Sequence, residues 1–270
     1  MNLLPQPRHV DPGRGRVAYA PASIRRDASL PPEGYRLSID PDGIEISAAD
    51  DAGIFYARCT LDQLRQTEGE QLPVCVIRDW PDIPVRAVML DIARDKVPTM
   101  DTLRALVDRL ASWKVNQLQL YMEHTFAYRD HQEVWAGASP LSHGEVTELG
   151  AFCRERHMDL VPNQNCFGHM ERWLKHERYR PLAMAPEGWR NPRGVLKPPT
   201  TIDPSKPGSL ALVRDLLGEL VPCFGGKQVN VGLDEPWEMP PERYPEYLQW
   251  ISTLRSLPEL NDREMVIWGD

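Results

Sequence analysis

The spacing of apolar residues changes partway along the chain. In the first part, Tyr35-Arg36-Leu37-Ser38-Ile39 and Gly43-Ile44-Glu45-Ile46-Ser47 alternate apolar and polar residues around Asp40-Pro41-Asp42-Gly43, which predicts a β-hairpin. Ile54, Phe55, Leu61 and Leu64 then recur at helical spacing within 52–65, so a helix is expected to cover one face of that small sheet. Asp79-Trp80-Pro81-Asp82-Ile83-Pro84 has the composition of a linker. From Arg86 onward, strand patterns (85–92, 115–122, 159–162, 228–234, 265–268) alternate with helical ones (99–113, 142–156, 209–221, 244–257). Thr99 stands where a cap belongs, with Leu103, Leu106, Val107 and Leu110 on one face behind it, and Ser142 and Glu145 have capping-box spacing.

Repeated strand–helix units imply a parallel sheet. The expected fold class is α/β: a small N-terminal α+β domain over 1–80, then a TIM-type barrel domain over 81–270 of which about the first five βα units are present. A complete barrel typically takes ~250 residues. The expectation is therefore a truncated, open barrel with little activity on its own, restored by the missing strands.

The chemistry-bearing residues follow the ends of successive predicted strands: Asp91 and Arg94, Glu123 and His124, Asn163 to His169, Asp234 and Glu235, and Trp268. Polar groups on one rim describe a barrel's active face. Val229, Val231 and Leu233 alternate with Asn230 and Gly232, so the fourth strand is expected to be buried and to end in the two acids. Pro236 favours an extended Glu235, which would send the adjacent carboxylates in different directions. Two solvated acids in a turn is the plainer alternative.

With 41% hydrophobic and 26% charged residues the composition is that of a soluble globular protein. A formal net charge of -8 argues against a nucleic-acid backbone or an anionic membrane surface as partner and leaves a neutral or small polar substrate. No apolar run approaches the roughly 18 residues of a membrane span, and residues 1–13 lack the apolar core of an export signal, so the expected compartment is the cytoplasm. Cys59, Cys75, Cys153, Cys166 and Cys223 are odd in number with no Cys-x-x-Cys pair, which suits reduced, mostly buried thiols. Nothing around Cys166 marks it as an activated nucleophile. The pattern sets no oligomeric state.

Three stretches resemble glycoside hydrolase family 20, the β-N-acetylhexosaminidases. Gly34-Tyr35-Arg36-Leu37 through Thr60-Leu61-Asp62-Gln63-Leu64 is similar to the family's small N-terminal domain, Arg86-Ala87-Val88-Met89-Leu90-Asp91-Ile92-Ala93-Arg94 to its first barrel strand, and Asn230-Val231-Gly232-Leu233-Asp234-Glu235 to its catalytic strand. The resemblance implies removal of terminal β-linked N-acetylhexosamine by a retaining, substrate-assisted mechanism, with no cofactor and no metal. It implies Glu235 as general acid and base, and Asp234 as the group that orients the substrate's acetamido and stabilises the oxazolinium intermediate. It further implies Arg94 as a sugar-binding residue, His169 as a relay to the acid, Trp268 as a wall against the acetamido methyl, and Asp91 as a supporting residue. Glu123 and Asn165 join the expected substrate-binding set, and Trp237 is placed for an aglycone site.

Two departures place the chain near the hexosaminidase-D-like branch. Pro162-Asn163-Gln164-Asn165-Cys166-Phe167-Gly168-His169 has Asn165 where many members carry an acid, and Tyr121-Met122-Glu123-His124 replaces the usual His-x-His segment. Other readings stay open: Arg94 paired to Asp91 or Asp95 for stability alone, His169 as a core residue, a divalent-metal hydrolase or isomerase using Glu123, His124, His169 and Asp234, or a non-catalytic carbohydrate-binding protein.

Overall fold

A computed structural model describes residues 2–269. The chain forms two compact units, one made of residues up to 87 with 104–117 and 153–158, the other of 88–103, 118–152 and the residues from 159 on.

In the first unit, β1 (His9–Ala18), β2 (Ser23–Arg26), β3 (Tyr35–Asp40), β4 (Gly43–Ala48) and β5 (Gln71–Asp79) form one sheet in the order β1-β5-β3-β4-β2, and α1 (Asp51–Glu68) joins β4 to β5. The predicted hairpin closes at Asp40 opposite Gly43, with the Asp42 N–H donating to Asp40 Oδ1 at 2.9 Å. Asp50 starts α1 by accepting from the Gly53 N–H on one oxygen and from the Glu33 N–H on the other, both at 2.8 Å. Alternation on β3 and β4 sends Leu37, Ile39 and Ile46 inward to meet Ile54, Leu61 and Leu64 of the helix. Phe55, expected on that apolar face, is only partly buried.

Asp79 belongs to β5 rather than to a linker, and it is buried. Lys114 Nζ lies 2.7 Å from its Oδ2 and donates to the Tyr35 hydroxyl at 2.9 Å, which meets Thr60 Oγ1 at 2.7 Å. All four side chains are at least nine-tenths buried. Burial disfavours the ammonium and pushes the Lys114 pKa down, while Asp79 pulls it back up.

The second sheet contains β6 (Ala87–Asp91), β7 (Gln117–Met122), β8 (Asp159–Gln164), β11 (Gln228–Asn230) and β12 (Glu264–Val266). These strands neighbour one another in chain order, and β11 runs parallel to both β8 and β12. That progression is the start of a βα barrel. The connecting helices are α2 (Met100–Ser112), α3 (Gln132–Trp135), α4 (His143–Arg154), α5 (Glu171–Leu174), α6 (Pro207–Leu220) and α7 (Tyr244–Arg255), and a short antiparallel ribbon, β9 (Trp189–Arg190) with β10 (Leu196–Lys197), stands between α5 and α6. Both predicted caps form. Thr99 Oγ1 accepts from the Thr102 N–H at 3.3 Å, and Glu145 Oε2 accepts from the Ser142 N–H at 2.8 Å while the Glu145 N–H donates back to Ser142 Oγ at 3.3 Å. The hydrogen bonds from Ser142 lower the Glu145 pKa.

Removing one partner of a buried ion pair leaves an uncompensated charge, at a cost of roughly 3–5 kcal/mol. Asp79→Asn is therefore predicted to lower the unfolding free energy by an amount in that range, read from urea denaturation. A loss under about 0.5 kcal/mol, the size expected of an exposed pair, would show that Lys114 finds water or another partner.

Candidate active site

β6 ends at Asp91, whose Oδ1 accepts from the N–H groups of Ala93 at 2.9 Å and Arg94 at 3.2 Å. This side-chain turn folds the chain back so that Arg94 reaches the neighbouring strand. Its Nη2 donates to the Tyr121 hydroxyl at 2.8 Å, its guanidinium lies 4.7 Å from the centre of that ring, and its Nε stands 3.4 Å from Glu123 Oε1 and 3.5 Å from Asp91 Oδ2. Arg94 thus pairs with Asp91, as one of the two readings expected, and it also lines a cleft.

Tyr121 is the centre of the arrangement. Its hydroxyl donates to Glu123 Oε1 at 3.1 Å and accepts from Arg94 and from Asn165 Nδ2, the latter at 2.9 Å. A phenol has one proton to give and two lone pairs to accept with, so all three capacities are filled. Burial, with Glu123 nearby, raises the Tyr121 pKa, and the hydroxyl keeps its proton.

The acid-bearing segment departs from the expected strand. β11 ends at Asn230, four residues before Asp234. Pairing persists a little further, with the Val231 N–H donating to the Val266 carbonyl and the Cys166 N–H to the Val231 carbonyl, both at 3.0 Å. Then the backbone turns left-handed, at Gly232 (φ 70°), Leu233 (φ 76°) and Glu235 (φ 49°). Glu235 is therefore not extended, despite Pro236. Tertiary contacts override the local preference: the Tyr247 hydroxyl holds the Leu233 carbonyl at 3.1 Å, and the Trp237 N–H closes a tight turn on the Glu235 carbonyl at 2.7 Å.

This turn brings both acids to one imidazole rather than sending them apart. His169 Nε2 lies 3.1 Å from Asp234 Oδ2 and 3.5 Å from Glu235 Oε2. The ring N–H is not well aligned with either oxygen. The two carboxylates still differ in surroundings, Asp234 being 16% exposed and Glu235 44%. The interaction with Asp234 raises the His169 pKa above its usual value, against the opposing effect of burial.

Asp91, Arg94, His169, Asp234, Glu235 and Trp268 line one cleft of about 440 Å³, together with Met89 and Tyr121. Trp268 is held there by its backbone N–H, which donates to the Gly232 carbonyl at 3.1 Å, and the residue is 42% exposed. Glu123 and Asn165 are absent from that lining and reach it through Tyr121. Sequence reasoning missed Tyr121 and Met89 as site residues. A signal for Tyr121 was available: Gln117, Gln119 and Tyr121 share one face of β7 by period two, and Gln119 meets Asn230 across the sheet at 3.3 Å. Cys166 is fully buried, its thiol directed to the Gln164 carbonyl at 3.1 Å, and burial pushes its pKa up, away from a thiolate. Among the described residues no three His, Cys, Asp or Glu side chains gather as a cation cage. His124, weighed as a ligand with His169 and Asp234, lines a different cleft.

Sequence models of glycosyl hydrolase family 20 match the chain in two parts, domain 2 over residues 9–80 and the catalytic domain over residues 84–265. The chain belongs to glycoside hydrolase family 20. Among curated relatives, this family 20 chain is 28% identical over 239 residues to a β-hexosaminidase of Akkermansia muciniphila, covering 79% of the chain and 48% of the relative. It is 27% identical over 152 residues to bovine hexosaminidase D, covering 56% and 41%, a match that does not set the chain apart from the bacterial enzymes. Its fold superposes on an exo-β-N-acetylglucosaminidase of Vibrio harveyi, solved in complex with N-acetylglucosamine, with a TM-score of 0.80 at 19% identity over 98% of the chain and 54% of that protein. The chain spans about half the length of the curated relatives it matches.

Tyr121→Phe would leave the buried Asn165 amide without its acceptor, and we predict a loss of about 1–3 kcal/mol in urea denaturation; a change of a few tenths would mean that Asn165 re-pairs. The His169–Asp234 attraction requires imidazolium. Because the folded pKa is raised, its stabilisation is fully present below the ordinary histidine value, about 6.5, and is lost as pH climbs through the raised pKa. Asp234→Asn should move the His169 NMR titration to lower pH, and an unchanged titration would assign the shift to Glu123 instead.

Proposed function

We propose that the Arg94–Glu235 cleft binds a terminal β-linked N-acetylhexosamine and that the whole protein hydrolyses its glycosidic bond with retention, the substrate's own acetamido group acting as nucleophile. The observation that carries this reading is the convergence of Asp234 and Glu235 on His169, opposite Arg94, within the segment matched by the family's catalytic domain. The more exposed Glu235 faces the leaving group and serves as general acid, then as base for water. The more enclosed Asp234 accepts the acetamido N–H, orients its carbonyl oxygen toward the anomeric carbon and stabilises the oxazolinium charge. Because the nucleophile is already attached to the substrate, much of the entropic part of the barrier is removed, up to roughly 7–11 kcal/mol in ideally oriented cases.

His169 lends positive charge beside Asp234. Arg94 spends Nε and Nη2 on Glu123 and Tyr121, so its Nη1 edge serves the ring hydroxyls. Trp268 offers an apolar face to the acetamido methyl. Trp237, whose indole N–H stands 3.4 Å from Glu235 Oε2, lines an adjoining cleft of about 420 Å³ with Trp189, a place for the aglycone.

In hydrolysis of 4-nitrophenyl N-acetyl-β-D-glucosaminide by the whole protein, Glu235→Gln is predicted to lower kcat by about 10²–10⁴ with little change in KM. Near-normal turnover would remove Glu235 from the role of acid. Asp234→Asn is predicted to weaken a thiazoline mimic of the oxazolinium state by about tenfold or more, since the developing charge loses its partner. Equal affinity in both proteins would give Asp234 another task. Turnover abolished by a chelator and restored by a divalent cation would favour the metal-dependent alternative.

A further inference from the structure

Beside the catalytic cleft, and sharing Arg94 with it, the same compact unit contains a second cleft of about 460 Å³. Four segments build it: the turn after β6 contributes Lys96, the residues just after β7 contribute His124 and Thr125, α3 and the loop that follows contribute an uncharged wall (Val134 and 136–139), and α5 with the residue that follows contributes Arg172 and Lys175. In a chain of net charge -8 this is an unusual gathering of cations. Asp95 is the one carboxylate in its lining. Among the described residues none of Lys96, Arg172 and Lys175 comes within 4.0 Å of a carboxylate oxygen.

The floor of the cleft is as distinctive as its rim. His124 and Thr125 are 6% and 2% exposed, and His124 Nδ1 and Thr125 Oγ1 have no hydrogen-bond partner among the described residues. Buried polar atoms are normally satisfied, so two adjacent orphans under a ring of unpaired cations point to a ligand that accepts hydrogen bonds and carries negative charge. Burial, and then the charges of Arg172 and Lys175, push the His124 pKa down to about 4. The imidazole is therefore neutral near pH 7 and offers an N–H without adding charge, and the lysines and arginine supply the attraction.

We propose that this cleft is a subsite for a compact oxyanion, a sulfate or phosphate ester carried on the glycan whose sugar occupies the adjoining cleft. This rests on the carbohydrate reading of that neighbour. Arg94, bordering both spaces, would then touch the sugar and its charged substituent together, so that neutral and esterified glycans are distinguished by one continuous surface.

The test is calorimetric binding to the intact protein of N-acetylglucosamine, of its 3-, 4- and 6-sulfates and its 6-phosphate, and of inorganic sulfate and phosphate. Each is compared with the Lys96→Ala/Lys175→Ala variant, checked for an unchanged melting temperature. The expected result is that at least one ester binds about tenfold or more tighter than the neutral sugar. That advantage should shrink as salt is raised and disappear in the variant, while the neutral sugar binds both proteins equally. The larger gain, sulfate or phosphate, identifies the ester. Esters that bind no tighter than the neutral sugar, or an advantage that survives in the variant, would overturn the subsite. Inorganic sulfate or phosphate binding as tightly as every ester would overturn a sugar-borne ligand in favour of a free anion. Failure of the neutral sugar to bind would instead overturn the carbohydrate reading of the neighbouring cleft, while lysine-dependent binding of the inorganic anion would still support the oxyanion pocket itself.

Discussion

The site depends on the close approach of two loop backbones. A side chain at Gly168 would run into the Asp234 carbonyl, and one at Gly232, which also has φ 70°, would run into the Asn165 amide oxygen. With both positions bare, the loop after β8 and the loop after β11 lie against each other, joined by the Cys166 N–H on the Val231 carbonyl at 3.0 Å. Trp250 and Tyr247, from α7, fix them from the other side by donating to the Cys166 and Leu233 carbonyls, each at 3.1 Å. The meeting of His169 with Asp234 and Glu235 is set up by this backbone contact, and the attraction between His169 and Asp234 adds to it. Leu233, Glu235 and His169 all hold left-handed backbone without being glycine, a conformation that persists only where surroundings over-determine it.

What the sequence disclosed was mostly local. The β3–β4 hairpin, the capping box of α4 and the start of α2 depend on residues a few positions apart, and each formed where its signal lay. β1 gave no such signal: it contains Pro12, Gly13 and Gly15, carries an irregularity between Pro12 and Arg16, and is mostly exposed, so its identity as a strand comes from pairing with β5 some sixty residues away. β2 is exposed throughout, and Pro73 interrupts the alternation of β5. The rim of chemistry-bearing residues was legible because strand ends are visible in the apolar pattern. The left-handed turn before the acids was not, because what imposes it lies at Gly168, Tyr247 and Trp250, and because the rule for a residue preceding proline pointed the other way.

The two units solve the burial of charge differently. In the first, Lys114 and Asp79 neutralise each other beneath the sheet, with Tyr35 and Thr60 absorbing the remaining hydrogen bonds. In the second, Arg94 is set among Asp91, Glu123 and Tyr121 at the edge of an open cleft, partly paired and partly available. The first pair is buried in the wall of a cavity of about 250 Å³. The second holds its cation in a fixed pose while leaving one edge of the guanidinium toward the cleft.

The filled hydroxyl of Tyr121 gives the neighbouring bonds a direction. Protons run from the Asn165 amide to the phenol, and from the phenol to Glu123. An aspartate at 165 would have no proton to give when ionised. The phenol would have to rotate and donate to it, abandoning Glu123, whose carboxylate would then be left in a buried position facing an oxygen. Asn165 and Glu123 are thus two ends of one polarity. The two stretches each supply one end of this run of protons, Asn165 from the β8 side of Tyr121 and Glu123 from the β7 side.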